Sequence, residues 1–315
     1  MKNEWKYIQT DPTRVVVREI ELDSGKGGDD AVIVFMTDPH FNSYTEKDLE
    51  DEVLASTIEY RKWNANGASV QNLERGFEYA RHENADAVVI GGDVLDFLSE
   101  GCIKLMKENL WDKYPDTIVC LGNHEAAKKV QGKVADKTPI EEKLDILQKN
   151  WNHNVRYYSR AIKDKAMVIA LDNASMSDMG YSGFFDEQIE LLAQDLSIAR
   201  DKEYKVFLLY HIPISTLNKQ SGATKASMIG DKNSNNIDFC YISIGPWVSE
   251  ATKKFYELIA NNADIIGGCL CGHVHSDFYT EIKAKDYQGN ETTIPQYVMM
   301  GMPYGKGHVM TIRVK

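Results

Sequence analysis

Nowhere in this 315-residue chain does an apolar run approach the ~18 residues that a membrane-spanning helix needs. The opening segment, MKNEWKYIQTDPTRV, has no apolar core of the kind that marks a secretory leader, so the expectation is a soluble, cytoplasmic protein with no membrane partner. Cysteine is scarce. Cys102, Cys120, Cys240, Cys269 and Cys271 are odd in number and lack the spacing of a disulfide-stapled secreted fold, which points to reduced, mostly buried thiols. Positive charge is also in deficit: 36 Lys and Arg face 47 Asp and Glu, for a net charge of −11. That balance argues against a nucleic-acid partner, because binding to a phosphate backbone is driven by basic side chains that release counterions. Two common catalytic signatures are missing. GKGGDD lacks the spacing of a GxxxxGK[ST] phosphate loop, and GYSGF lacks that of a GxSxG elbow.

What the chain does have is a pattern repeated five times. A short apolar run, rich in β-branched residues, ends in a cluster of polar side chains able to bind metal: AVIVFM before TDPH, ADAVVI before GGDVLD, TIVCL before GNHE, KVFLLY before HIP, and ADIIGGCLC before GHVH. Continuous apolar runs of this length fit strands covered on both faces. Between them, Val70, Leu73, Phe77 and Ala80 recur at helical spacing, as do Ile189, Leu192, Leu196 and Ala199. Strands alternating with helices predict a layered α/β fold, in which ligands gather beyond the carboxyl ends of the strands. The flanks read differently. RVVVREIEL, the SGKGGDD turn and AVIVFM predict an N-terminal hairpin; DFYTEIKAKDY, a QGN turn and TTIPQYVMM predict another near the C-terminus, with HVMTIRV closing the set. The chain length suits one domain, 1–315, and the Ser, Asn and Lys-rich stretch within 212–248 is a candidate capping insertion.

The polar clusters supply Asp38 and His40, Asp93 and Asp96, Asn123 and His124, His211, then His273 and His275. Carboxylate, imidazole and amide oxygen together suit Zn, Mn or Fe without thiolate. If the strand before LCGHVH runs on, its period of two projects His273 and His275 to one face. The rival is a Cys2His2 zinc site from Cys269, Cys271, His273 and His275. An extended segment separates its ends by about 20 Å, too far for one ion, so that rival needs a sharp fold at Gly272. Taken singly, Asp38 could end a strand, and Asp93 and Asn123 could be turn formers; five such coincidences in one chain are much harder to accept.

The ordered series DxH, GDxxD, GNHE, H and GHxH resembles the calcineurin-like metallophosphoesterase superfamily across most of the chain. The resemblance implies a layered α/β/β/α fold, a central mixed β-sandwich flanked by helices. It also implies two divalent or trivalent transition-metal ions (Mn, Fe or Zn), one held by Asp38, His40 and His275, the other by Asn123, His211 and His273, with Asp93 bridging. A hydroxide shared by the ions would attack phosphorus, His124 would serve the leaving oxygen, Asp96 would orient His124, and Glu125 would support them. The implied substrate is a small phosphomonoester or phosphodiester, with nucleotides among the candidates. Protein phosphatases of the superfamily usually carry arginine directly after the second aspartate of GDxxD. Phe97 stands there, which disfavours that alternative, as the acidic balance disfavours a nuclease. A non-catalytic metal-binding scaffold would show a lost ligand or a lost His124, and neither is lost. His82, His153 and His308 match no motif and read as surface or packing histidines. Tyr44, Tyr241 and Trp247 flank the motifs and could stack on a leaving group, and Lys306 reads as solvated.

Overall fold

Apolar runs covered on both faces become strands whose side chains alternate between different cores. The computed structural model describes residues 15–62, 68–126, 137–175, 183–214 and 249–315, together with 6–8, 129–130, 133–134 and 229–230. In chain order, the first half runs β1 (Lys6–Ile8), β2 (Val16–Leu22), β3 (Ala31–Met36), α1 (Glu52–Arg61), α2 (Ala68–His82), β4 (Ala87–Ile90), α3 (Glu100–Met106), β5 (Ile118–Val119), α4 (Asn123–Ala126), the ribbon β6 (Lys129–Val130) and β7 (Lys133–Val134), and α5 (Ile140–Asn150). The second half runs β8 (Tyr157–Ile162), β9 (Ala166–Leu171), α6 (Asp186–Asp201), β10 (Lys205–Leu209), β11 (Ile229–Gly230), α7 (Glu250–Asn261), β12 (Ile266–Cys271), β13 (Phe278–Lys285), β14 (Glu291–Val298) and β15 (His308–Val314).

Two mixed sheets form, one in the order β1-β2-β15-β3-β4-β5 and the other β11-β13-β14-β12-β10-β9-β8. Ile33 and Phe35 of β3 meet Val168 of β9, and Phe207 and Leu209 of β10, in the core between the sheets. Val34 and Met36, one step along, face the opposite way into a core with α1, α2 and α3. Ile169, Leu208 and Cys271 pack likewise toward α6 and α7. The period of two in each strand thus builds four layers, helix, sheet, sheet, helix, as the resemblance implied. The predicted stripes lie on α2 and α6, with Leu73, Phe77, Ile189, Leu192 and Leu196 buried. No helix among the described residues is long and apolar enough to cross a membrane.

The N-terminal hairpin does not form. β15 inserts between its two arms, parallel to β2 and antiparallel to β3. The connection over 23–30 is too long for a tight hairpin turn and long enough to span two strand spacings, about 10 Å, and the apolar β15 fills the gap. HVMTIRV therefore closes the first sheet, while the C-terminal hairpin of β13 and β14 forms in the second as predicted. In β12 the pairing with β10 skips a residue: Val206 opposes Ile266 and Phe207 opposes Gly268. This bulge reverses the facing of the later strand residues, bringing Cys269 and Cys271 onto the side of Ile266. Residues 215–228 and 231–248, which hold most of the candidate cap with Tyr241 and Trp247, lie outside the described residues.

Asp48 fixes the entry to α3. Ser99 caps that helix by accepting from Cys102 N, and Asp48 accepts from the next free amides, Glu100 N at 2.9 Å and Gly101 N at 3.1 Å, as well as Thr45 N at 2.7 Å. Burial opposes the charge on Asp48, but the amide bonds from Thr45, Glu100 and Gly101 outweigh it and hold the carboxyl below its ordinary value. Asp48→Ala is expected to lose about 1–3 kcal/mol of stability at neutral pH, measured by urea denaturation. A depressed folded pKa means the contribution is present above the unfolded value of about 3.9 and fades as pH falls through the folded one. The gap between parent and variant should therefore close toward acid; a gap that persists there would contradict the assignment.

Candidate metal centre

Five residues at the ends of β3, β4 and β12 carry left-handed backbone: Asp38 (φ 49°), His40 (50°), Asp93 (48°), His273 (69°) and His275 (52°). Such a conformation costs on the order of 1–3 kcal/mol in a non-glycine residue, although Asp and His adopt it more readily than most. β12 ends at Cys271, so His273 and His275 are not successive strand residues on one face. That expectation is corrected: their side chains are aimed by two left-handed turns. Cys269 and Cys271 pack in the helix-side core and join none of the candidate metal clusters.

The turns converge because glycine lets them touch. A Cβ on Gly272 would stand 2.0 Å from Thr37 Oγ1 and 2.2 Å from Asp38 Oδ2, and one on Gly122 would stand 2.1 Å from Asp93 Oδ1. Both loops reach the site only without a side chain at these positions. Glu125 ties two of the turns together, with Oε1 accepting from Leu95 N (2.8 Å) and Oε2 from Gly122 N (2.7 Å). Burial, then the charge of Asp93, pushes the Glu125 carboxyl up to about 7. On the second sheet Asn173 clamps the turn after β10, donating to Ile212 O at 2.8 Å and accepting from Ile212 N at 3.1 Å.

Three groups result. Asp38, His40, Asp93 and His275 form the first, Asp93, His211 and His273 the second, and His40, Asp96 and His124 the third. In the first, His275 Nε2 stands 3.0 Å from both His40 Nε2 and Asp38 Oδ1. In the second, His211 Nε2 is 3.1 Å from Asp93 Oδ2 and 3.1 Å from Asn123 Oδ1. Asp93 belongs to both, and its other oxygen accepts from His124 N at 2.8 Å. All seven residues expected to ligate metal are therefore brought to one place.

The donor chemistry fits a cation. His211 Nδ1 faces Gly91 O at 2.7 Å, and a carbonyl can only accept, so Nδ1 carries the ring hydrogen. Nε2 is then the ring atom that faces the oxygens of Asp93 and Asn123, an arrangement that calls for positive charge there, a proton on Nε2 or a bound cation. The field says the same. Burial opposes charge on His40 and His211, yet Asp38 and Asp96 push His40 up to about 10, and Asp93 and Asp38 push His211 up to about 9. His273, disfavoured by burial and then by the charge of His211, falls to about 3. Asp38 and Asp93 are held well below the ordinary carboxylate range, because the surrounding imidazoles overcome the burial that would raise them.

Asp96 and His124 lie at the edge of these groups. His124 Nδ1 faces the backbone oxygen of Asp96 at 2.7 Å, while the Asp96 carboxylate is 3.5 Å away. His40 Nδ1 stands 3.1 Å from Asp96 Oδ1, within ion-pair distance but outside hydrogen-bond geometry. The carboxylate is occupied by residues that no motif announces. Arg61, at the end of α1, grips it with Nε to Oδ2 at 3.0 Å and with Nη2 to Oδ1, and Asn42 donates to Oδ2 at 2.6 Å. Phe97, where the superfamily's protein phosphatases carry arginine, is buried in the helix-side core. The sequence around Arg61, IEYRKW, shows only a helix end. Tyr304 was also missed; its ring packs against His275, centroids 4.9 Å apart. His308, read as surface or packing, is half-buried with Nδ1 2.8 Å from Asp277, which also binds Met300 N and Arg18 and so braces the turn after His275. His153 accepts from Val119 N, His82 is exposed, and Lys306 is exposed.

The family model described as calcineurin-like phosphoesterase matches residues 31–277. The chain belongs to that family and is a metallophosphoesterase, a phosphoric ester hydrolase. No curated protein sequence matches it. Among solved structures it is similar to a dimetal phosphatase from Danio rerio, at 11% identity over 89% of this chain and 91% of that one, TM-score 0.44. A purple acid phosphatase from yellow lupin seeds is 13% identical over 94% of this chain and 46% of that one, TM-score 0.40. The calcineurin-like phosphoesterase YfkN from Bacillus subtilis is 14% identical over 87% and 82%, TM-score 0.34.

The Arg61 and Asp96 side chains are almost wholly buried, so removing one strands the other. Arg61→Leu is expected to destabilise the protein by about 3–5 kcal/mol, visible as a lowered chemical-denaturation midpoint. A midpoint shift equivalent to less than about 1 kcal/mol would mean that Asp96 does not need the guanidinium.

Proposed function

We propose that this phosphoesterase uses two metal ions to hydrolyse a small phosphomonoester or phosphodiester, with nucleotides among the candidate substrates. The observation that carries the reading is Asp93, whose carboxylate is shared by two groups of donors that each suit one ion. Asp38, His40 and His275 would hold the first ion, Asn123, His211 and His273 the second, and Asp93 would serve both. Mn, Fe and Zn suit such oxygen and nitrogen donors. Bound there, the ions would supply Lewis acidity toward a phosphoryl oxygen and lower the pKa of a coordinated water from 15.7 to about 7.

The chain's own residues do the rest. His124 has its Nδ1 occupied by Asp96 O, which leaves Nε2, 3.9 Å from Asp93 Oδ2, as the ring atom able to hold or deliver a proton at the departing ester oxygen. Asp96, gripped by Arg61 and Asn42, fixes that ring through its backbone and lies beside His40 through its side chain. Support for a small substrate comes from the net charge of −11, which opposes polyanions, and from the core position of Phe97, where a protein phosphatase would present a phosphate-gripping arginine.

Reconstitution with Mn, Fe or Zn is expected to restore hydrolysis of p-nitrophenyl phosphate or its bis ester after chelation, with close to two ions per chain by elemental analysis. Asp93→Asn should lose both metal and activity. His124→Ala should keep the metal and lose roughly 100- to 10,000-fold in kcat, the range for general acid–base groups. Failure to hydrolyse monoesters and diesters with any of the three metals would sink the reading.

A further inference from the structure

The buried groups around the candidate centre are dominated by acceptors. Asp38, Asp93 and Asp96 are fully buried carboxylates, and a phosphate ester brings further anionic oxygen among them. Apart from His124, assigned above to the departing oxygen, protein donors able to meet that oxygen are few. Arg61 is committed to Asp96, Asn42 donates its amide to Asp96 and to Arg61 O, and the side chain after Asp96 is a core phenylalanine. Tyr304 differs. It is half-buried, lies against His275, and its hydroxyl has no hydrogen-bond partner among the described residues.

Its loop is also held firmly over the site. Met302 N donates to Thr37 O at 3.0 Å, next to Asp38, and the buried Asn72 of α2 donates to Met302 O at 2.7 Å. Tyr304 N bonds back to Gly301 O, Gly307 N bonds to Tyr304 O, and a Cβ on Gly301 would stand 2.9 Å from Asp38 Cβ. Gly305 and Gly307 supply the left-handed backbone that the turn requires.

We propose that Tyr304 contacts the substrate, its hydroxyl donating a hydrogen bond to a non-bridging oxygen of a phosphate ester bound against Asp38, His40 and His275. A neutral donor suits this position. It offers a hydrogen to the ester oxygen without adding another negative charge among the carboxylates. The inference rests on the proposed ester hydrolysis and names one residue that recognises the phosphoryl group.

The test is Tyr304→Phe, which keeps the ring against His275, in Mn-loaded protein. Elemental analysis should give the same metal content as the parent. Calorimetric titration with inorganic phosphate should show Kd raised about tenfold, and kcat/KM for p-nitrophenyl phosphate should fall about 10- to 100-fold, as for a hydrogen bond to a charged partner. Phosphate affinity and kcat/KM both within twofold of the parent would overturn the inference. So would loss of metal in the variant, which would assign Tyr304 to the centre itself. If the parent binds phosphate but hydrolyses nothing, the proposed function fails and the phosphate titration alone decides Tyr304; a parent that binds no phosphate overturns both.

Discussion

Negative charge buried away from the surface must be answered nearby, and in this protein that requirement governs the architecture. Asp38, Asp93 and Asp96 lie in the interior, where isolated carboxylates are very costly. Imidazoles from both sheets, the Arg61 guanidinium and backbone amides surround them. The answer for Asp96 is structural, since a guanidinium grips it on two sides. For Asp38 and Asp93 the neighbours are imidazoles whose ring nitrogens face the carboxylates, a setting that favours positive charge.

The two sheets exist in this arrangement to bring such groups together. β3, β4 and β5 deliver Asp38 with His40, Asp93 with Asp96, and Asn123 with His124. β10 and β12 deliver His211, His273 and His275 from the facing sheet. No single strand end holds a site. The rigid sandwich core fixes the spacing, and bare glycine backbone at 122 and 272 removes the last obstacle to contact. The left-handed turns store backbone strain that the packed surroundings must hold in place, as is common where geometry serves function.

Much of this was legible from residue order. The strands before each polar cluster, the stripes of α2 and α6, and membership of the family follow from apolar periodicity and from five motifs in series. What escaped was of two kinds. Pairing partners escaped: nothing in RVVVREIEL or AVIVFM says that a strand some 290 residues away will separate them, because strand order depends on which edges remain free in three dimensions. Residues without a motif escaped too. Arg61, Asn42 and Tyr304 reach the site from a helix end and two loops, and their types are too common on surfaces to attract notice. The projection of His273 and His275 was read from strand alternation, but a strand ending at Cys271 leaves local φ in control. Backbone sign is invisible in a string of letters unless glycine marks it.

β15 lies between β2 and β3, and Arg313 reaches back across 294 positions to Glu19. During synthesis, the first sheet stays split until residues 308–314 leave the ribosome. The N-terminal half then waits with two unsatisfied strand edges, a state prone to off-pathway pairing. The loop carrying Asp38 follows β3, one of those edges. Enzymatic competence should thus wait on β15, so that a chain cut short before residue 308 would be an inert, aggregation-prone fragment instead of a weak hydrolase.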